Sequence, residues 1–214
     1  HSALAPVPVD SVMSAGAAAS TVGDAQRWVP VTATGTYDAA REVLVRKRPL
    51  QGRNGFWVVT PLVTGSGAVL AVNRGWVEAA GSATDAQAVP PPPSGEVTVL
   101  GRVQPSESAP EQPDDLPTGQ ITDLDVALVV GPGATAYPGY IQLESSVPAQ
   151  AEGLTPIPVP DLSDGPHLSY AIQWIFFAIV AVTGFVLLAR RERDYADTTT
   201  RTDVVPPTGG PGPG

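Results

Sequence analysis

Apolar and polar positions divide this chain into a long β-patterned part, one long apolar run and polar flanks. Short Val-rich stretches bounded by turn residues predict strands over 28–37, 42–46, 56–64, 68–77, 96–104 and 140–145. Gly65-Ser66-Gly67 separates two of them as a hairpin turn would. Residues 123–130 read equally as a short helix or a buried strand, because a short apolar run does not decide between them. Strands at this spacing predict a mainly β domain over 1–160, a small barrel or a sandwich. Residues 79–94, with Pro90-Pro91-Pro92-Pro93, and the acidic 106–119 read as exposed loops.

The apolar run covers 168–189, LSYAIQWIFFAIVAVTGFVLLA, and holds no formal charge. As a helix it is about 33 Å long, enough for a hydrocarbon core of about 30 Å. A buried helix in a soluble protein is the competing reading, but such helices are usually shorter and polar on one side. The run is therefore predicted to be a transmembrane helix. Residues 161–167 would be an extended juxtamembrane linker, and 190–214 a disordered tail. Tyr170 and Trp174 suit one interface, and Arg190, Arg191 and Arg193 follow at the other end. The positive-inside rule then puts the tail in the cytoplasm and the β-rich domain on the extracytoplasmic side of the cell membrane. Such a domain needs an export device, so a signal or a further transmembrane helix is expected upstream of His1.

Composition narrows the chemistry. The 24 Pro and 22 Gly concentrate in loops and tail, which leaves a domain smaller than 214 residues suggests. Without cysteine there is neither a disulfide nor a thiolate nucleophile or metal ligand. A net charge of −9 argues against nucleic acid as a partner. Arg41, Arg46, Lys47, Arg48 and Arg53 crowd together against that trend; a solvated strand edge is the favoured reading and a docking patch for an acidic partner the alternative. Two histidines and one methionine cannot by themselves build a copper or zinc site, and no nucleophile elbow or phosphate loop occurs. No catalytic residue and no required cofactor are expected, so the protein is not read as an enzyme.

His167 stands at the outer end of the apolar run, where an imidazole can anchor at the interface or act as a haem ligand. Gln173 is polar within the run, and polar groups there are costly against lipid, so that face is expected to meet another helix. Ser169, Tyr170 and Trp174 join it as candidate partner contacts.

Several blocks in order carry a family resemblance. Val31 precedes Gly35-Thr36-Tyr37; Leu44-Val45-Arg46-Lys47-Arg48 leads to Gly52, Gly55 and Thr60-Pro61-Leu62; and Ala71-Val72-Asn73-Arg74-Gly75-Trp76-Val77 is the most specific piece. Gly101-Arg102 and then His167-Leu168-Ser169-Tyr170-Ala171-Ile172-Gln173-Trp174 complete the series. In these blocks the chain resembles the surfeit locus protein 1 family of cytochrome c oxidase biogenesis factors. The resemblance implies two transmembrane helices flanking a β-rich outer domain, and a role in maturing the haem-bearing core subunit. It also implies transient haem a handling, with His167 at the position of the family's implicated histidine. Pro166 stands where the family usually has Asn, and Gln120-Ile121-Thr122-Asp123-Leu124-Asp125 replaces an aromatic- and His-containing stretch. These departures bear on haem handling rather than on the fold. Richness in Ala, Val, Pro and Gly points to a high-GC, actinobacterial source.

Within the resemblance, Gly35, Gly52, Gly55 and Gly75 are expected at turns, bulges or close backbone approaches. Arg74 either pairs with a carboxylate or faces a partner, and Trp76, with Arg74 a candidate partner contact, is read like Trp28 as core or rim packing rather than a ligand contact. The expected function is an assembly factor for cytochrome c oxidase. The alternatives are a resident accessory subunit of the oxidase or of a respiratory supercomplex, and a membrane-bound haem carrier. Expected partners are oxidase core subunits and membrane lipid.

Overall fold

The computed structural model describes residues 5–81, 87–108, 112–159 and 165–202. The alternation read from the sequence builds a closed β-barrel. Its strands are β2 (Pro30–Tyr37), β4 (Gly55–Thr64), β5 (Val69–Glu78), β6 (Glu96–Pro105) and β8 (Ala136–Val147). The order is β2-β6-β8-β5-β4, and β2 pairs with both β6 and β4, which closes the ring. Every barrel pairing is antiparallel except β5–β8. Closure leaves these five strands without a free edge among them, so the barrel arrangement holds and the sandwich does not.

Side-chain alternation explains where the core sits. Along β2, Val31, Ala33 and Tyr37 are buried while Thr34 and Thr36 are exposed. The buried set joins Leu62, Leu70, Val72, Val97, Val99, Val103, Ile141 and Leu143 in one apolar cluster. Strands β4, β5 and β8 are buried on their second face too. There Val45, Val59, Val69, Ala71 and Tyr140 pack against Ile121, Leu124, Val126, Val129 and Val130. Those last residues come from β7 (Gln120–Ile121), from Leu124 in the connection and from α1 (Val126–Val130), which makes the second part of the ambiguous 123–130 a short helix. Asp125 starts it by accepting the Ala127 N–H at 2.9 Å, a side-chain cap that the apolar pattern alone did not reveal.

Three features add to or depart from the sequence expectation. Residues before 28 carry structure: β1 (Val7–Pro8) runs parallel to β2, and Val9, Met13 and Val22 are buried in the barrel cluster. The strand expected from Trp28 begins at Pro30, because Trp28 has a positive φ of 67° that no extended strand allows. The acidic loop is only partly solvated, since Glu107 accepts the Leu124 N–H at 2.7 Å and pairs with Arg48.

The second unit of the chain is α2 (Gly165–Thr202), a single helix of 38 residues. Its stretch Ile172–Arg190, of mean hydropathy 2.3, is long and apolar enough to cross a membrane. The helix starts within the expected linker, since Pro166 fits a first turn. It also continues through residues expected to be loose. Nothing between Arg190 and Thr202 is Pro or Gly, and Arg, Glu and Ala there favour a helix. Residues 161–164 of the linker and 203–214 of the tail lie outside the described residues.

Candidate functional site

The most specific sequence block, 71–77, lies on β5 and is buried throughout. Val58 pairs with Gly75 and Val59 with Asn73, so Arg74 is the extra residue of a β-bulge. A bulge re-aims a side chain. Here it directs a fully enclosed guanidinium toward three acceptors. NH1 donates to Glu42 Oε2 at 2.6 Å, Nε to Gln150 Oε1 at 2.7 Å and NH2 to the Pro90 carbonyl at 3.0 Å. Thr60 Oγ1 donates to the same Glu42 oxygen at 2.7 Å, and the Tyr37 ring lies 5.8 Å from the guanidinium carbon. Arg74 thus ties β5 to the start of β3 (Val43–Val45), to the proline run and to the segment after β8. Of its two readings, pairing with a carboxylate holds; a side chain turned out toward a partner does not, because the internal acceptors enclose it.

Trp76 is likewise internal, 5% exposed, with its indole N–H donating to the Arg48 carbonyl at 2.6 Å. Its backbone exchanges two 2.8 Å hydrogen bonds with Thr155, which fastens the segment leaving the barrel. Gly55 lies under the ring, where a methyl group would overlap the indole. The structure gives Trp76 a core packing role. Tyr37 and Thr60 lie in family blocks with no role assigned to them, and Glu42 and Gln150 are the members of this cluster that sequence reasoning missed. No local pattern marks them, because they meet Arg74 across separations of up to 76 residues.

The basic stretch is mostly paired. Arg41 donates to the Val130 carbonyl at 2.9 Å and lies 3.4 Å from Asp38. Arg48 pairs with Glu107 and stacks 4.1 Å over Trp57, and Arg53 pairs with Glu78. Only part of this stretch is a solvated edge, since β7 covers β3 through Leu44↔Gln120 and Val45↔Ile121.

Burial sets the ionisation of the tyrosines. It pushes Tyr37 up to about 12, opposed by the Arg74 charge. It pushes Tyr137 up to about 12 as well, helped by Asp10, which accepts the Tyr137 O–H at 2.6 Å. Tyr140 is raised too, by burial and by the Glu107 charge.

On α2, Tyr170, Gln173 and Trp174 are exposed side chains, and Trp174 meets Phe177 edge-on at 6.1 Å. Ser169 and His167 lie on the first turns of the helix, with side chains outside the described residues.

A small β-barrel followed by one helix with the length and apolarity of a membrane span defines a class of membrane-anchored β-domain proteins. Residues 1–179 match the SURF1 family, and the chain belongs to it. The family is linked to cytochrome oxidase assembly. Similar curated proteins are uncharacterized SURF1-like proteins of Mycobacterium bovis and Mycobacterium tuberculosis. Each is 34% identical over 184 residues, 81% of this chain and 64% of the relative. The chain therefore spans less than two thirds of the length of these relatives. Their mycobacterial, and so actinobacterial, origin agrees with the composition.

Proposed function

We propose that this protein is a membrane-anchored, non-enzymatic assembly factor for a respiratory cytochrome c oxidase, supporting maturation or stability of its core subunit. The observation that carries this reading is the SURF1 family match over 1–179, which spans the barrel and the first part of α2. A scaffold role is supported by how the family's blocks are used: Arg74 and Trp76 act as internal struts. Partner contact then falls to α2. Gln173 is polar within an apolar span, and a neighbouring helix from an oxidase subunit would relieve its cost in lipid. Ser169, Tyr170 and Trp174 share that end of the span. Arg190, Arg191 and Arg193 favour a cytoplasmic tail, with the barrel outside.

Haem a insertion is the finer part of this proposal. His167 would hold the iron through one imidazole, and haem would supply its own redox and ligand chemistry. Met13, the one methionine, is buried in the barrel core and so is withheld from such a site. A donor set of one imidazole suits a transient hold completed by a partner's ligand. A resident accessory subunit of the oxidase or a supercomplex is the second reading. It is favoured by the stretch 120–125, which departs from the family pattern and is built into the fold as β7 and the α1 cap.

Purification through a tag on the C-terminal tail tests both. Recovery of a small amount of haem-poor core subunit, and loss of oxidase haem in a deletion strain, is the expected result. Equal recovery of tagged protein and mature oxidase would establish the resident subunit instead. Recovery of no oxidase subunit, with normal oxidase in the deletion strain, would refute both.

A further inference from the structure

The loop between β3 and β4 contains a recess that the strut network does not use. Its cavity of about 380 Å³ is lined by the apolar surfaces of Pro49, Phe56 and Ala79 together with Asn54, Arg46 and Lys47. Phe56 is 2% exposed and anchors that side to the cluster with Val58 and Val77. The loop is held in an unusual shape. Lys47 and Gln51 have φ of 55° and 51°, and the turn Leu50–Arg53 closes with reciprocal hydrogen bonds of 2.9 and 3.0 Å. Residues other than glycine rarely adopt such backbone angles, and a structure maintains them only when the surroundings fix them.

Charge pairing around the recess is selective. Arg41, Arg48 and Arg53 are matched by Asp38, Glu107 and Glu78, while Arg46 and Lys47 have no acidic partner among the described residues. Two unmatched cations therefore adjoin an apolar pocket on a chain whose net charge is −9. Their field acts locally, within a screening length of about 8–10 Å, so the overall negative charge does not cancel it at contact. A ligand complementary to this surface is an anion joined directly to an apolar body.

The geometry points to an anionic phospholipid headgroup, with its glycerol and upper acyl portion against Pro49 and Ala79, as the occupant of this recess. The lipid source follows from the chain itself. The last backbone group of the barrel unit held by a barrel side chain is the Ile157 carbonyl, which accepts from Gln142 Nε2 at 2.9 Å. The helix that carries the apolar span starts at Gly165, eight residues later in the chain. So short a tether keeps the local concentration of headgroups high, and modest affinity is then enough. This inference rests on membrane anchoring and is independent of any role in oxidase assembly.

Hydrogen–deuterium exchange on the full chain in lipid nanodiscs tests it. Backbone amides of 46–56 are expected to exchange about thirtyfold more slowly in discs containing phosphatidylglycerol than in phosphatidylcholine alone, the scale set by two cations at an anionic surface. The protection is expected to disappear in Arg46→Gln/Lys47→Gln. That variant is expected to retain its melting temperature, because both side chains lack an internal ion-pair partner. High salt on the unaltered chain provides a second measurement that requires no variant, and it is expected to abolish the difference. Equal exchange in the two lipids would overturn the proposal, as would protection that survives both the substitutions and salt. Equal protection by glycerol phosphate in phosphatidylcholine discs would assign the recess to a soluble phosphate and also overturn the lipid.

Discussion

Arg74 shows how one side chain can connect segments far apart in sequence. Its guanidinium is enclosed, and its acceptors come from residues 42, 90 and 150. Removing the cation leaves Glu42 with Thr60 as its only remaining side-chain donor in this cluster. Breaking a buried pair typically costs about 3–5 kcal/mol, and Glu42, 18% exposed, places this case toward the lower end. Arg74→Ala is therefore expected to lose about 3 kcal/mol in denaturant unfolding of the full chain, followed by tryptophan fluorescence. Arg74→Met combined with Glu42→Gln is expected to lose less, because no charge is then stranded. Gly55 gives a steric counterpart. A methyl group there collides with the Trp76 indole and the Val77 carbonyl, so Gly55→Ala is expected to reduce the folded yield and expose Trp76 to collisional quenchers. An unchanged quenching profile would contradict that packing.

At the scale of elements, α2 and β7 show opposite limits of pattern reading. The apolar run was legible because a membrane span must be continuous, long and uncharged, and each of these is a local property. An arginine at its centre should prevent stable insertion, at a cost of about 2.5–3.5 kcal/mol. Val180→Arg is thus expected to move the protein from the carbonate-resistant membrane fraction to the extractable one. Retention would show that something other than this span holds the chain to the membrane. β7 has two residues and no periodicity, so only its parallel pairing with β3 makes it a strand. The extension of α2 to Thr202 went unread for a different reason. Polar residues after the span resemble a loose tail by composition, although none of them breaks a helix.

At the scale of the whole molecule, burial couples folding to pH on the alkaline side. Tyr37 and Tyr137 titrate near 10 when unfolded and at about 12 when folded. The native state holds these protons more tightly, so their contribution is complete below pH 10 and is lost as pH rises through about 12. Absorbance from the barrel tyrosinates is expected to rise only as pH approaches about 12, together with cooperative unfolding. A single step near 10 would contradict the burial of both hydroxyls. The strand pattern, the apolar span and the family blocks could be read without coordinates, because alternation, hydropathy and motif order are carried by neighbouring residues. Closure of the strands into a barrel, the packing of Val9, Met13 and Val22 on it, and the inward turn of Arg74 and Trp76 emerged from the folded chain alone. Those outcomes depend on which distant segments meet, and the energy that selects them is the burial of apolar surface and the pairing of charge across the closed barrel.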